Sequence, residues 1–114
     1  MLLLAAFLSF GWPPERTQWL PAGSACPAGL SEVRINPCCG SMRPTLQGGE
    51  RAYVDPYHGQ PILGYIISDD LKTHRVVAET AHAYRTSGDA NRQSDPWRDK
   101  KHIRWVIRYV VRDR

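Results

Sequence analysis

From Thr45 onward the chain is cut into short apolar-rich runs by turn residues at intervals of about ten. That punctuation leaves little room for helices of ordinary length and suits the strands and hairpins of an all-β domain. The expected strands are Glu50–Asp55, Ile62–Ser68, Thr73–Glu79, Ala83–Thr86 and His102–Val111. Gly48-Gly49, the stretch from Pro56 to Pro61 and Ser68-Asp69-Asp70 supply the breaks between them. The runs 73–79 and 83–86 are close enough to form a hairpin. In the last run, Arg104, Arg108 and Arg112 repeat at a helical interval, whereas Trp105, Ile107, Tyr109 and Val111 alternate as a strand would. Its β-branched and aromatic content favours the strand. With 114 residues there is room for one compact domain and not for a second core.

The amino-terminal part has a different texture. Met1 to Phe10 is apolar except for Ser9, and as a helix residues 1–12 would reach only about 18 Å against about 30 Å of bilayer hydrocarbon. The stretch is compatible with an export signal lacking a basic flank, a shallow interfacial anchor, a shortened membrane anchor, or a buried terminal strand or helix. Residues 13–29 are rich in Pro, Gly and Ala and read as a connector, followed by a short mixed segment, Leu30 to Ile35. The formal charge of +4 is uneven: residues 1–96 carry 8 Lys and Arg against 9 Asp and Glu, and residues 97–114 carry 7 against 2. A basic tail of this kind suits phosphates or anionic lipid headgroups, or simply a solvated strand face. Cys26, Cys38 and Cys39 contain no CxxC pair and no finger-spaced histidine, so no metal site is expected. In an oxidising compartment Cys26 would pair with one of the other two, because adjacent cysteines bridge only with strain.

Two segments carry chemistry. In Gly40-Ser41-Met42-Arg43-Pro44-Thr45-Leu46 the glycine permits close approach of a substrate, the serine hydroxyl is accessible and Pro44 stiffens the turn. In Thr73-His74-Arg75-Val76-Val77-Ala78-Glu79, alternation puts His74 on the apolar face with Val76 and Ala78, where a partly desolvated imidazole suits a general base. Ser87-Gly88-Asp89-Ala90-Asn91 and Asp95-Pro96-Trp97 follow, with carboxylates able to orient an imidazole or to hold the loop together.

SMRPTL, then HRVV, then SGDAN with a following Asp, in this order, resemble the type I signal peptidases, serine endopeptidases that remove export signals at membranes. The match runs from about Gly40 to Trp97. The resemblance implies a mainly β, signal-peptidase-like domain over residues 30–114, a coiled sheet or partial barrel, preceded by an apolar segment. It implies Ser41 as nucleophile and His74 as base, as in the Ser-His branch of that family. Gly88, Asp89 and Asn91 match its Gly-Asp-x-Asn box, and Asp95 or Asp89 would support His74. Gly40, Met42 and Pro44 belong to the nucleophile loop, where the Ser41 N–H would serve as one oxyanion donor. Cys39 stands where many members carry a second donor, a hydroxyl. Glu50 and Tyr65 replace expected aspartates.

The expected activity is therefore cleavage of signal peptides or similar preprotein segments after small residues, with no cofactor and no nucleic acid. The active site would lie at a membrane surface on the extracytoplasmic side. Lys72 shares the His74 face but is out of register for the base, and is expected to be solvated beside Asp69-Asp70; His58, His82 and His102 read as surface residues. A self-cleaving repressor peptidase would require a DNA-binding region for which the chain has no space. The alternative from another class is an inactive β domain that binds nucleic acid or anionic lipid through the basic C-terminal strand.

Overall fold

The computed structural model describes residues 15–36, 40–90 and 94–112. The apolar leader, Cys38, Cys39 and Asn91 lie outside these residues. The chain is mainly β. Its strands are β1 (Gln18–Pro21), β2 (Ser31–Ile35), β3 (Glu50–Pro56), β4 (Ile66–Asp69), β5 (Thr73–Glu79), β6 (Ala83–Ser87), β7 (Arg98–Asp99) and β8 (Ile103–Arg112). They form one open sheet in the order β2-β3-β8-β4-β5-β6-β7, antiparallel throughout, with β1 added in parallel to the end of β8. A 3-10 turn, Lys100–His102, precedes β8, and Asp99 Oδ1 accepts from the Lys101 N–H at 2.8 Å to cap it.

β8 is paired with three strands and lies between two cores, which resolves the double periodicity of its sequence. It pairs with β3 on one side and with β4 and then β1 on the other. Adjacent β8 residues serve two different cores: Ile107 and Val110 pack with Ile35, Met42, Leu46, Ala52, Val54 and Ile66, whereas Ile103 and Val106 pack with Ile62, Ile67, Val76 and Tyr84. A strand covered on both faces needs apolar residues at successive positions, so simple alternation is lost.

Two stretches differ from the expectation. The connector contributes a strand of the sheet, β1, because Trp19 packs against the first core and the backbone of residues 18–21 finds open partners at Tyr109 to Arg112. The expected strand Ile62–Ser68 begins only at Ile66. Ile62–Tyr65 is instead a turn closed by the Tyr65 N–H to the Ile62 carbonyl at 2.9 Å, with Gly64 at φ 87°, a conformation that costs a side chain strain.

Where β4 ends and β1 begins along the same edge of β8, Thr17 closes the joint. Its buried hydroxyl donates to the Ile107 carbonyl at 2.7 Å and accepts from the Ile66 N–H at 2.9 Å. Thr17→Val keeps the shape and leaves that N–H unpaired. The expected loss is about 1–3 kcal/mol, read as a lower urea midpoint at unchanged slope.

Candidate active site

The loop between β2 and β3 carries Ser41. Gly40 adopts φ 73°, and a Cβ there would press on the Arg43 side chain at 3.3 Å. Two backbone bonds fold the loop tightly, Arg43 N–H to the Gly40 carbonyl at 3.1 Å and Leu46 N–H to the Met42 carbonyl at 2.9 Å. Met42 and Leu46 are fully buried in the first core. They fasten the loop so that Ser41, between Gly40 and Met42, stays half-buried rather than waving in solvent. Pro44 is exposed on the far side of the turn.

His74 is the second residue of β5, with its side chain 11% exposed. Its Nε2 lies 3.0 Å from Ser41 Oγ and its Nδ1 lies 2.7 Å from Asp95 Oδ2. The same carboxylate oxygen accepts from Thr86 Oγ1 at 2.7 Å. The backbone of Asp95 is clamped as well: its N–H donates to the Thr86 carbonyl at 2.7 Å, and its carbonyl accepts from Arg85 Nε at 3.0 Å.

Burial acts to raise the Asp95 pKa. The hydrogen bonds from Thr86 and His74 and the charges of His74 and Lys72 outweigh it, so the carboxyl lies below its ordinary value. An ionised carboxylate only accepts, so Nδ1 must hold the imidazole hydrogen. Nε2 of the neutral ring is then the acceptor, and Ser41 Oγ–H donates to it. The three side chains form one directional chain of hydrogen bonds.

Asp89 does other work. It accepts from Arg75 Nε at 2.9 Å, from Arg75 Nη2 at 2.8 Å and from Thr45 Oγ1 at 2.6 Å. Arg75 follows His74, and Thr45 belongs to the serine loop, so Asp89 ties the two catalytic candidates' supports together. Arg75 also donates to Glu15 and to the Gly64 carbonyl. Burial alone would lower the Arg75 pKa, but the bonds to Asp89 and Glu15 raise it, and the guanidinium stays charged.

Gly88 forms a wall of the site. A Cβ at this position would lie 2.6 Å from the Ser41 carbonyl oxygen, 3.1 Å from Ser41 Cβ and 3.3 Å from His74 Nε2. The next loop residue but one, Ala90, donates its N–H to that Ser41 carbonyl at 2.9 Å. Gly88→Ala must therefore move the Ser41 backbone or the loop. A displacement of about 1 Å between reacting groups costs on the order of 10²-fold in rate, and any hydrolytic turnover by this site is expected to fall by that factor while circular dichroism stays native.

The Lys72 backbone is bonded to Asp69, but its ammonium is not directed at the Asp69-Asp70 pair as the sequence suggested. Asp69 is occupied by Tyr84 and Arg98 and by the Leu71 and Lys72 N–H groups, and the Lys72 ammonium instead lies 3.6 Å from Asp95 Oδ2. His58 and His82 are exposed, and His102 bonds Asp70 at 3.0 Å. Thr86, Thr45 and Gly88 complete the site; Thr45 and Gly88 were legible through the SMRPTL and Gly-Asp segments, whereas Thr86 was not. A hydroxyl on a neighbouring strand leaves no signal in sequence spacing.

Cys39, the position of the expected second oxyanion group, lies outside the described residues. Cys26 is exposed as a free thiol that donates to the Leu30 carbonyl at 3.4 Å. Among the described residues no group of three His, Cys, Asp or Glu side chains is placed to hold a metal, and no helix is long and apolar enough to cross a membrane. In comparisons with known proteins, no family model, no curated protein and no solved structure matches the chain.

Proposed function

We propose that the protein is a serine endopeptidase of the signal-peptidase type, acting through Ser41, His74 and Asp95. The single observation that carries this reading is the unbroken run from Ser41 Oγ to His74 Nε2 and from His74 Nδ1 to Asp95, at 3.0 and 2.7 Å. The reaction is acyl transfer. Ser41 Oγ attacks the scissile carbonyl carbon while His74 Nε2 takes the hydroxyl proton, and Asp95 stabilises the resulting imidazolium. His74 then returns the proton to the leaving amine as the C–N bond breaks. Water, deprotonated by the same nitrogen, hydrolyses the ester and restores Ser41.

The finer fold assignment, a signal-peptidase-like coiled sheet or partial barrel, belongs to the same proposal. So do cleavage after small residues, preprotein substrates and work at a membrane surface on the extracytoplasmic side. The alternative of binding through the basic C-terminal strand draws less support. Arg108 lies over the Tyr65 ring and 3.9 Å from Asp55, Arg112 stacks on Trp19, and Arg98 and Lys100 are paired with Asp69 and Glu79.

The test is incubation with a preprotein bearing an Ala-x-Ala signal, followed by mass spectrometry of the products. Cleavage after the small residue that Ser41→Ala and His74→Ala both abolish is the expected result. No cleavage, or cleavage indifferent to both substitutions, overturns the proposal.

A further inference from the structure

The Asp95 carboxylate serves more than the imidazole. Oδ2 receives His74 Nδ1 at 2.7 Å and also faces the Lys72 ammonium at 3.6 Å. Lys72 is held there by its own backbone. Its N–H donates to Asp69 Oδ1 at 2.8 Å, and its carbonyl accepts from the Asp69 N–H at 2.9 Å. Asp69, with no exposed side-chain surface, is already engaged by Tyr84 and Arg98, and Asp70 by Arg98 and His102, so neither neighbouring acid draws the ammonium away. At 23% side-chain exposure the ammonium is only partly screened by water.

We infer that Lys72 is a positioning residue of the Ser41–His74–Asp95 site: its ammonium shares the Asp95 carboxylate with the imidazole and thereby holds His74 in its neutral, proton-accepting form to lower pH. The consequence for turnover rests on the proposed peptidase reading, but the effect on the imidazole does not. An isolated carboxylate beside Nδ1 favours the imidazolium. A cation on the same oxygen opposes it, at a distance from the ring that the two contacts limit to about 6 Å. Over about 6 Å, with an effective dielectric constant between about 20 and 80, a unit charge moves proton uptake by about half a unit to two units of pH.

The other charges around His74 are held by contacts in which Lys72 takes no part. Arg75 is bound to Asp89 and Glu15, and Arg85 donates to the Asp95 carbonyl. Asp69 and Asp70, at the turn that carries Lys72, are bound by Arg98. Ser41 is neutral.

The experiment is an NMR titration of the four imidazole Cε1–H signals in the full chain, with His74 identified by the signal lost in His74→Gln. Lys72→Met and Lys72→Gln are each compared with the parent, and Lys72→Arg tests rescue. In Met and Gln variants the His74 signal is expected to titrate higher in pH by about half a unit to two units, and the Arg variant to return toward the parent. Signals of His58, His82 and His102 report whether folding is retained. A His74 titration unmoved in both neutral variants overturns the inference, whatever the outcome with preprotein. If turnover is measurable, the acid limb of kcat/KM moves upward in the same variants. Failure of the peptidase proposal would leave the titration result standing, so the two failures are distinguishable.

Discussion

Substituting Ser41 by Ala is expected to remove preprotein cleavage by at least about 10⁴-fold, the scale on which serine hydrolases depend on their nucleophile. Without Oγ no acyl-enzyme forms, and only substrate binding and any oxyanion donors are left. His74→Ala removes the proton acceptor 3.0 Å from Oγ and is expected to cost about 10²–10⁴-fold. The double variant should be little worse than Ser41→Ala alone, because both groups act in the same proton transfer. Rates of product formation by mass spectrometry, with unchanged circular dichroism, decide it. Additive losses would mean that His74 acts on something other than Ser41.

The second large effect separates the two aspartates. In Asp95→Asn the amide oxygen takes the place of Oδ2, where Thr86, His74 and Lys72 all present donors. The imidazole tautomer is kept, and what is lost is the negative charge that stabilises the imidazolium. Replacing a charge-assisted bond by a neutral one leads to an expected fall of about 10²-fold in kcat with little change in KM. Asp89→Asn acts on stability instead. The Arg75 and Asp89 side chains are 5% and 10% exposed, and breaking such a buried pair costs about 3–5 kcal/mol. Thermal unfolding should therefore drop sharply for Asp89→Asn and only slightly for Asp95→Asn. Equal losses of melting temperature, or equal losses of rate, would contradict the division of labour.

The Asp95 shift also has a direction in pH. Its folded-state pKa is depressed, so its contribution to stability is present above the unfolded carboxyl value of about 4 and is lost as pH falls through the folded value. Near neutral pH the group is ionised in both states.

Much of the sheet was legible because turn residues bracket the runs that became β3, β5, β6 and β8. Thr73–Glu79 forms the strand at the expected limits. What escaped were features whose partners are far away in sequence. Four residues of connector became β1 only because β8 leaves an edge free at Tyr109 to Arg112. Thr17, 49 residues from Ile66 and 90 from Ile107, is an ordinary threonine until both strands meet beside it.

The same distinction runs through the site. Ser41 and His74 were named from local residue chemistry and a family resemblance, since a Gly-Ser turn and a histidine on an apolar strand face are local statements. The choice between Asp89 and Asp95 was not local. Both carboxylates follow His74 within about twenty residues. Strand pairing puts Arg75 opposite Ser87, which sends Asp89 to the guanidinium and leaves Asp95, clamped to Thr86, at Nδ1. Lys72 likewise could be placed by sequence only near the acids beside it. Which acid it meets depended on Tyr84 and Arg98 having filled Asp69 first. Residue types and turn spacing determined the strands and the candidate groups, because those follow from neighbours in the chain. Tertiary structure decided the partner of each charge, because a carboxylate has few acceptor positions and long-range packing decides which donors reach them.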